Sequence, residues 1–342
     1  MANHYTALAL QTACHAINRL GPEAARSATL DNIAQIGRQI VNGKRFLGQD
    51  LSLVVLPEYS VTGFPWGEDA ETWRAKAAFA FDGPEYEAFA RIAAEADVFI
   101  AGNHYEQDPH FPALYFQAST LISPSGETVL RYRRLISMFA PSPFDVWEAY
   151  LDAYGAAAVF PVADTAIGRI GAIASEEILY PEIARAVTSR GAEVLVHSSS
   201  EVTSPNPTPK AITRRARAVE NMAYIVSANS GGLTGIDIPQ NSTDGGSEII
   251  DYKGNILAKA GQGDSINAIA EINLGSVRAY RRRPGMGNLL SRHPMELWAS
   301  AYADCSAAEQ SGLGDGTTAP SRSHYVDRQA RVIAKLDKAG LI

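Results

Sequence analysis

Strand-length apolar runs alternate with helix-period stripes along most of this chain, and several of the strand pairs are joined by tight turns. Tyr5 to Cys14 is a short apolar run, and Leu30, Ile33, Ile36 and Ile40 then mark one helix face before Gly43. Leu51 to Leu56 reads as a buried strand ending at Pro57-Glu58. Phe89, Ile92, Ala93 and Ala96 mark a second helix, and Val98 to Ala101 resumes as strand. Leu114 to Arg134 and Phe160 to Ala174 each read as two strands around a turn, the first at Ser123-Pro124-Ser125-Gly126 and the second near Ile167-Gly168. Pro181 suits a first helical turn, where its missing N–H costs nothing, and that helix should end near Gly191. Glu193 to His197 is the next strand, followed by a helix from Ala211 to Met222, a strand from Tyr224 to Ala228 and a hairpin from Ser247 to Ala258. Hairpins mixed into a helix–strand alternation predict an α/β fold of sheets with antiparallel neighbours covered by helices, not a purely parallel doubly wound sheet.

No repeat or low-complexity linker divides residues 5 to 275, so residues 1–275 are expected to form one domain and 276–342 a C-terminal extension. The extension carries Arg278, Arg281, Arg282 and Arg283, a Gly/Ser/Thr-rich stretch from Ser311 to Ser321 and a helical ending from about Val326 to Ala339. It is expected to lie on the surface or to dock on a neighbouring subunit. Thirty Lys and Arg against 37 Asp and Glu, a net charge of −7, argue against broad attraction to nucleic acid or an anionic membrane. The partner expected is a small molecule. Cys14 and Cys305 are far apart and in no metal-ligand spacing, so neither a disulfide framework nor a metal site is expected. With no basic-then-apolar leader and no run of about 18 apolar residues, the chain reads as soluble and cytoplasmic.

Three segments fall at the ends of expected strands, where side chains converge in α/β proteins. In Leu56-Pro57-Glu58-Tyr59 the carboxylate is either a cap for the next turn or a base in a partly desolvated cleft. Arg131-Tyr132-Arg133-Arg134 ends another strand. Gly168 to Glu182 takes a buried strand through a sharp turn into a helix, with Ser175 at the turn as in a nucleophile elbow. Ser175 reads equally as a capping hydroxyl there. Other nucleophile patterns are absent: there is no G-x-S-x-G, S-x-x-K or H-E-x-x-H, and Ser198-Ser199-Ser200 with Lys210 downstream lacks the glycine-rich surroundings of serine amidases.

Together these segments resemble the nitrilase superfamily of carbon-nitrogen hydrolases in order, spacing and local sequence. Leu56-Pro57-Glu58 matches its glutamate segment, Tyr132-Arg133-Arg134 falls on its "YRK" segment, and Ser175-Glu176-Glu177-Ile178-Leu179-Tyr180-Pro181-Glu182 falls on "C-x-[DE]-x-x-[FY]-P-E". Arg217-Ala218-Val219-Glu220-Asn221, Ala228-Asn229 and Gly246 to Asp251 continue the order, so the resemblance covers roughly residues 5 to 275. It implies a four-layer α-β-β-α sandwich that assembles as a homodimer or larger homo-oligomer, and a hydrolase that needs no cofactor and acts on an amide or nitrile.

The same resemblance implies a site of Glu58, Arg134 and Ser175, with arginine where the family carries lysine and serine where it carries the nucleophilic cysteine. A further acidic element expected between lysine and cysteine falls on Glu148, with Asp145 as the alternative. Tyr59, Asn103, His104, Phe139, Tyr180 and Ser199 are expected to line the substrate pocket, with Trp66 and Met138 on the same loops. His197 reads as a satisfied core histidine, and Arg217 with Glu220 as an ion pair on one helix. A thiol is partly ionised near neutral pH and a serine hydroxyl is not. Two readings therefore stand: a hydrolase using Glu58 as base and Arg134 as oxyanion stabiliser, or a binding protein without turnover. The serine itself is either natural or an introduced, substrate-trapping replacement.

Overall fold

The structure is a computed structural model that describes residues 4–202, 204, 206–304 and 308–342. Cys305 lies outside the described residues, while Cys14 is buried, with its thiol pushed up to about 12 by that burial. In the first half the chain forms β1 (His4–Ala9), β2 (Cys14–His15), α1 (Pro22–Leu47), β3 (Leu51–Glu58), α2 (Ala70–Ala77), α3 (Pro84–Ala96), β4 (Phe99–Gln107), β5 (Tyr115–Ile122), β6 (Thr128–Arg133) and α4 (Trp147–Tyr154). The second half forms β7 (Ala163–Thr165), β8 (Gly168–Ala174), α5 (Pro181–Ser189), β9 (Val194–Ser198), α6 (Pro209–Asn221), β10 (Tyr224–Ala228), β11 (Leu233–Thr234), β12 (Glu248–Ile250), β13 (Ile256–Lys259), β14 (Ile269–Asn273), α7 (Leu274–Arg282), α8 (Met295–Asp304) and α9 (Arg322–Lys338).

Two six-stranded sheets result, ordered β14-β1-β3-β4-β5-β6 and β13-β12-β10-β9-β8-β7, and β2 pairs with β11 apart from them. In each sheet three central strands are parallel, β1-β3-β4 in one and β8-β9-β10 in the other, with antiparallel strands on both flanks. This is the mixed sheet that the hairpins predict.

The period-2 alternation of the strands separates the layers. Ala7, Ala9, Leu53 and Val55 face the second sheet, where they meet Ala172, Val194 and Val226 in one shared core. Their neighbours Leu8, Leu10, Val54 and Leu56 face outward onto Ile33, Ile36 and Ile40 of α1 and Phe89 and Ile92 of α3. On the opposite side, Ile183 and Val187 of α5 and Ala218 of α6 cover the second sheet. The order is helix, sheet, sheet, helix.

α7 straddles residue 275, and its basic side chains turn back onto their own chain. The Arg278 guanidinium bonds Glu193 at 2.6 and 2.8 Å, and Arg281 caps the carbonyls of Met222, Ala192 and Asn221. Further on, Arg328 of α9 pairs with buried Asp145, and Tyr325 is buried.

Ile225 is fully buried between the second sheet and the helices that cover it, so Ile225→Ala should leave a cavity and lower unfolding stability by about 2–5 kcal/mol, measured as a shift in the urea midpoint at unchanged slope.

Candidate active site

The carboxyl ends of the central parallel strands point to one edge of the sandwich, and the site is built there. β3 delivers Glu58 at its last residue, and the loop after β6 delivers Arg134. β8 runs into a single tight helical turn, Ser175–Leu179, that begins at Ser175. Ser175 has φ +47°, a left-handed backbone that a serine adopts only when its surroundings hold it there. Two contacts do so. The His197 ring bonds the Ser175 carbonyl at 2.9 Å through Nε2, and because a carbonyl only accepts, Nε2 carries the proton. Nδ1 then accepts from the Ser227 hydroxyl at 2.8 Å. Burial, reinforced by Arg214, holds the His197 pKa well below the usual histidine range, so the ring is the neutral core histidine that its place in an apolar strand suggests.

The second contact is Glu177, which is fully buried. It accepts from the Tyr132 hydroxyl at 2.7 Å, from the Leu135 and Ile136 amides at 2.7 and 3.0 Å, and from the Ala174 amide at 3.3 Å. Burial raises its pKa, opposed by Arg134 and by these donors. Glu177 thereby joins the segment carrying Arg134 to the turn carrying Ser175.

Arg134 is almost wholly committed. Its Nε donates to the Ile136 carbonyl at 2.7 Å and Nη1 to Gln117 Oε1 at 2.6 Å. Nη1 also meets Glu58 Oε1 at 3.4 Å, and Nη2 pairs with Glu176. Burial opposes its charge, but Tyr59, Glu58, Glu176 and Glu177 outweigh burial and raise its pKa. Gln117 Nε2 in turn donates to Glu58 Oε1 and to Asn103 Oδ1, both at 2.7 Å. Glu58 Oε1 thus accepts from both an amide and a guanidinium.

These groups open onto a cavity of about 440 Å³ lined by Glu58, Tyr59, Arg134, Phe139, Ser175 and Lys210, with Trp66 and Met138 at its mouth. Lys210 stands in the first turn of α6, and its ammonium donates to Ser175 Oγ at 3.0 Å. Tyr105 and Arg322 also reach the cavity, the latter from α9 with its guanidinium 3.8 Å from the centre of the Phe139 ring. Three larger cavities, along the α6–β13 face, between α1 and α3, and beside Phe81, His110 and Tyr154, hold none of these groups.

Of the expected site residues, Glu58, Arg134, Ser175, Tyr59 and Phe139 converge. Asn103 lies beneath them, bonded to Gln117 and Ser119, outside the cavity lining. His104 faces the opposite way, because alternation along β4 sends Tyr105 to the cavity and His104 to α3. There it stacks on Phe79 and bonds Tyr86. Ser199 is fully buried behind Ser200, which lines the cavity in its place, and Tyr180 is half exposed at the start of α5, outside the lining.

Glu148 is a clear miss. It sits in the exposed first turn of α4 and accepts from Gln310 and Ser311 of the extension. Asp145 is buried but caps Ser142 and pairs with Arg328. The acid that does bridge the lysine-type and cysteine-type segments is Glu177, the acidic position of the elbow motif itself. Arg217 and Glu220 form the expected pair at 2.8 Å. Gln117 is signalled in the sequence by its place as an amide in an otherwise buried strand. Arg322 has no such signal, since it enters from far along the chain.

Among the described residues no His/Cys/Asp/Glu group is arranged to hold a metal ion, and no helix is long and apolar enough to cross a membrane.

A sandwich of this layering is a mixed α/β scaffold, and the chain belongs to the carbon-nitrogen hydrolase family, whose family model matches residues 12–282. It is similar to the formamidases of Bacillus thuringiensis (strain Al Hakam) and Bacillus cereus (strain AH820), 28% identical over 188 residues, 54% of this chain and 52% of each relative. The chain thus spans about half the length of the curated relatives it matches. Among solved structures, the carbon-nitrogen hydrolase of Helicobacter pylori G27 superposes with TM-score 0.65 at 19% identity, covering 87% of this chain and 98% of that one. Saccharomyces cerevisiae Nit3, of the nitrilase superfamily, superposes with TM-score 0.63 at 18% identity over 82% and 94%. An amidase from Nesterenkonia sp. superposes with TM-score 0.62 at 18% identity over 88% and 97%. At such identities the likeness is one of fold.

Burial lowers the His104 pKa to about 4. Between the usual histidine value near 6.5 and pH 4 the unfolded chain therefore binds a proton that the native state refuses, and stability falls as pH falls through that window. Urea midpoints at pH 7 and pH 5 should differ less in His104→Gln than in the unaltered protein; an equal pH dependence would place the acid sensitivity elsewhere.

Proposed function

We propose that this chain hydrolyses the carbon–nitrogen bond of a small amide, with Ser175 as nucleophile and Glu58 as base. The observation that carries this reading is a half-strained elbow that presents the Ser175 side chain to a cavity shared with the buried Glu58 and Arg134. In the first step Ser175 Oγ bonds to the carbonyl carbon while its proton passes to Glu58, and the carbonyl oxygen becomes an oxyanion. Collapse breaks the C–N bond, Glu58 returns the proton to the leaving nitrogen, and an acyl-serine ester remains. Water then attacks that ester while Glu58 takes its proton, and as the bond from carbon to Oγ breaks Glu58 passes that proton to Oγ, which releases the acid and restores Ser175. Arg134 contributes a permanent positive charge to the wall and holds Glu58 and Glu176 in place. Formamidase and amidase relatives support an amide in preference to a nitrile.

Binding without turnover is the second reading, favoured by the commitment of Glu58 Oε1 to both Gln117 and Arg134. An ammonia-release assay over formamide, acetamide and longer amides separates the two. Hydrolysis predicts activity that falls at least about 10³-fold in Ser175→Ala. Activity equal in Ser175→Ala and the unaltered protein would refute Ser175 as nucleophile, and activity confined to Ser175→Cys would establish the binding reading.

The same reading includes a homodimer. Ile212 and Val219 on α6 and Ile256 on β13 are exposed side by side along the outer face. Ile212→Glu should shift sedimentation velocity from dimer to monomer at micromolar concentration, whereas an unaltered sedimentation coefficient would exclude this face.

A further inference from the structure

Lys210 is the one cation that touches Ser175 Oγ among the described residues, and its position is otherwise unfavourable. It occupies the second residue of α6, after the Thr208 cap and Pro209, where the partial positive charge of the helix N-terminus disfavours an ammonium. No carboxylate pairs with it among the described residues, although Glu201 close by is taken by Arg214 and Thr208. Its single side-chain hydrogen bond is the one to Ser175 Oγ, at 3.0 Å. The side chain is half buried and lines the cavity.

Arg134 is placed differently. Four of its five N–H donors point at Ile136, Gln117, Glu58 and Glu176, and to meet a new oxyanion it would have to break one of those bonds. A guanidinium so fixed supplies a field but little direct hydrogen bonding. An ammonium has three rotatable donors, and Lys210 uses one.

We infer that Lys210 is the oxyanion-stabilising residue of this site: its ammonium, supplied from α6, donates to the charge that develops when Ser175 adds to a carbonyl. The entering Oγ and the former carbonyl oxygen sit on one tetrahedral carbon, close enough for a single ammonium to serve both. The chemical class of ligand it selects is a tetrahedral anion bonded to Ser175. This inference rests on Ser175 being the nucleophile.

Methylboronic acid tests both without a known substrate, since a serine oxygen that bonds to boron gives a tetrahedral anion visible by 11B NMR. The unaltered protein should form that adduct and Ser175→Ala should not. Lys210→Met, a good helix former at a half-buried position, should keep its thermal midpoint while binding the boronate at least about tenfold more weakly, with Lys210→Arg in between. On any amide that is turned over, Lys210→Met should lower kcat by about 10²-fold with little change in KM. If the unaltered protein forms no adduct, or Ser175→Ala keeps it, the nucleophile assignment falls and the inference with it. If Ser175→Ala loses the adduct but Lys210→Met binds it within twofold of the unaltered protein, only the role of Lys210 is overturned.

Discussion

One buried carboxylate holds the two halves of the site together. Glu177 belongs to the turn that follows β8 in the second sheet, yet it accepts hydrogen bonds from Tyr132, Leu135 and Ile136 at the end of β6 in the first. A carboxylate stripped of water is costly unless its lone pairs are filled, and here three backbone amides and a phenol fill them. Because each of those donors lies on a segment that carries a site residue, satisfying Glu177 also fixes the separation of Arg134 from Ser175. The left-handed backbone at Ser175 follows from the same constraint, with His197 gripping its carbonyl from the other side.

Electrostatics then decide which groups remain available. Burying Glu58 beside Arg134 is tolerable only because they face each other and share Gln117, and pairing of this kind holds both charges in place. A guanidinium in place of an ammonium suits that arrangement, since its planar fork can hold Ile136, Gln117, Glu58 and Glu176 at once. The outcome is a rigid wall made by Arg134 and a separate, less encumbered cation at Lys210.

Much of the fold was legible because strand alternation and helix periodicity are local. Leu51–Leu56, the hairpin through Ser123–Gly126 and the helix opening at Pro181 all appear where the pattern puts them, and Glu58, Arg134 and Ser175 converge because they end elements of that pattern. Membership of the cavity is less legible than the elements that carry it. His104 and Asn103 are adjacent in sequence, but the pleat sends them to opposite faces. Glu148 satisfied a loose spacing rule while its helix turned outward beneath the extension.

The sequence by itself determined the layered α/β architecture, the family and the three strand-end segments, because each depends on contacts between residues close in the chain or on a contiguous motif. Only the tertiary structure decided which side chains share the cavity. Glu177 finds donors 41 to 45 residues away, Lys210 reaches Ser175 across 35 residues, and Arg322 comes from the first turn of α9. Nothing in a local pattern carries such pairings, since they are fixed by how two sheets register against each other through a common core.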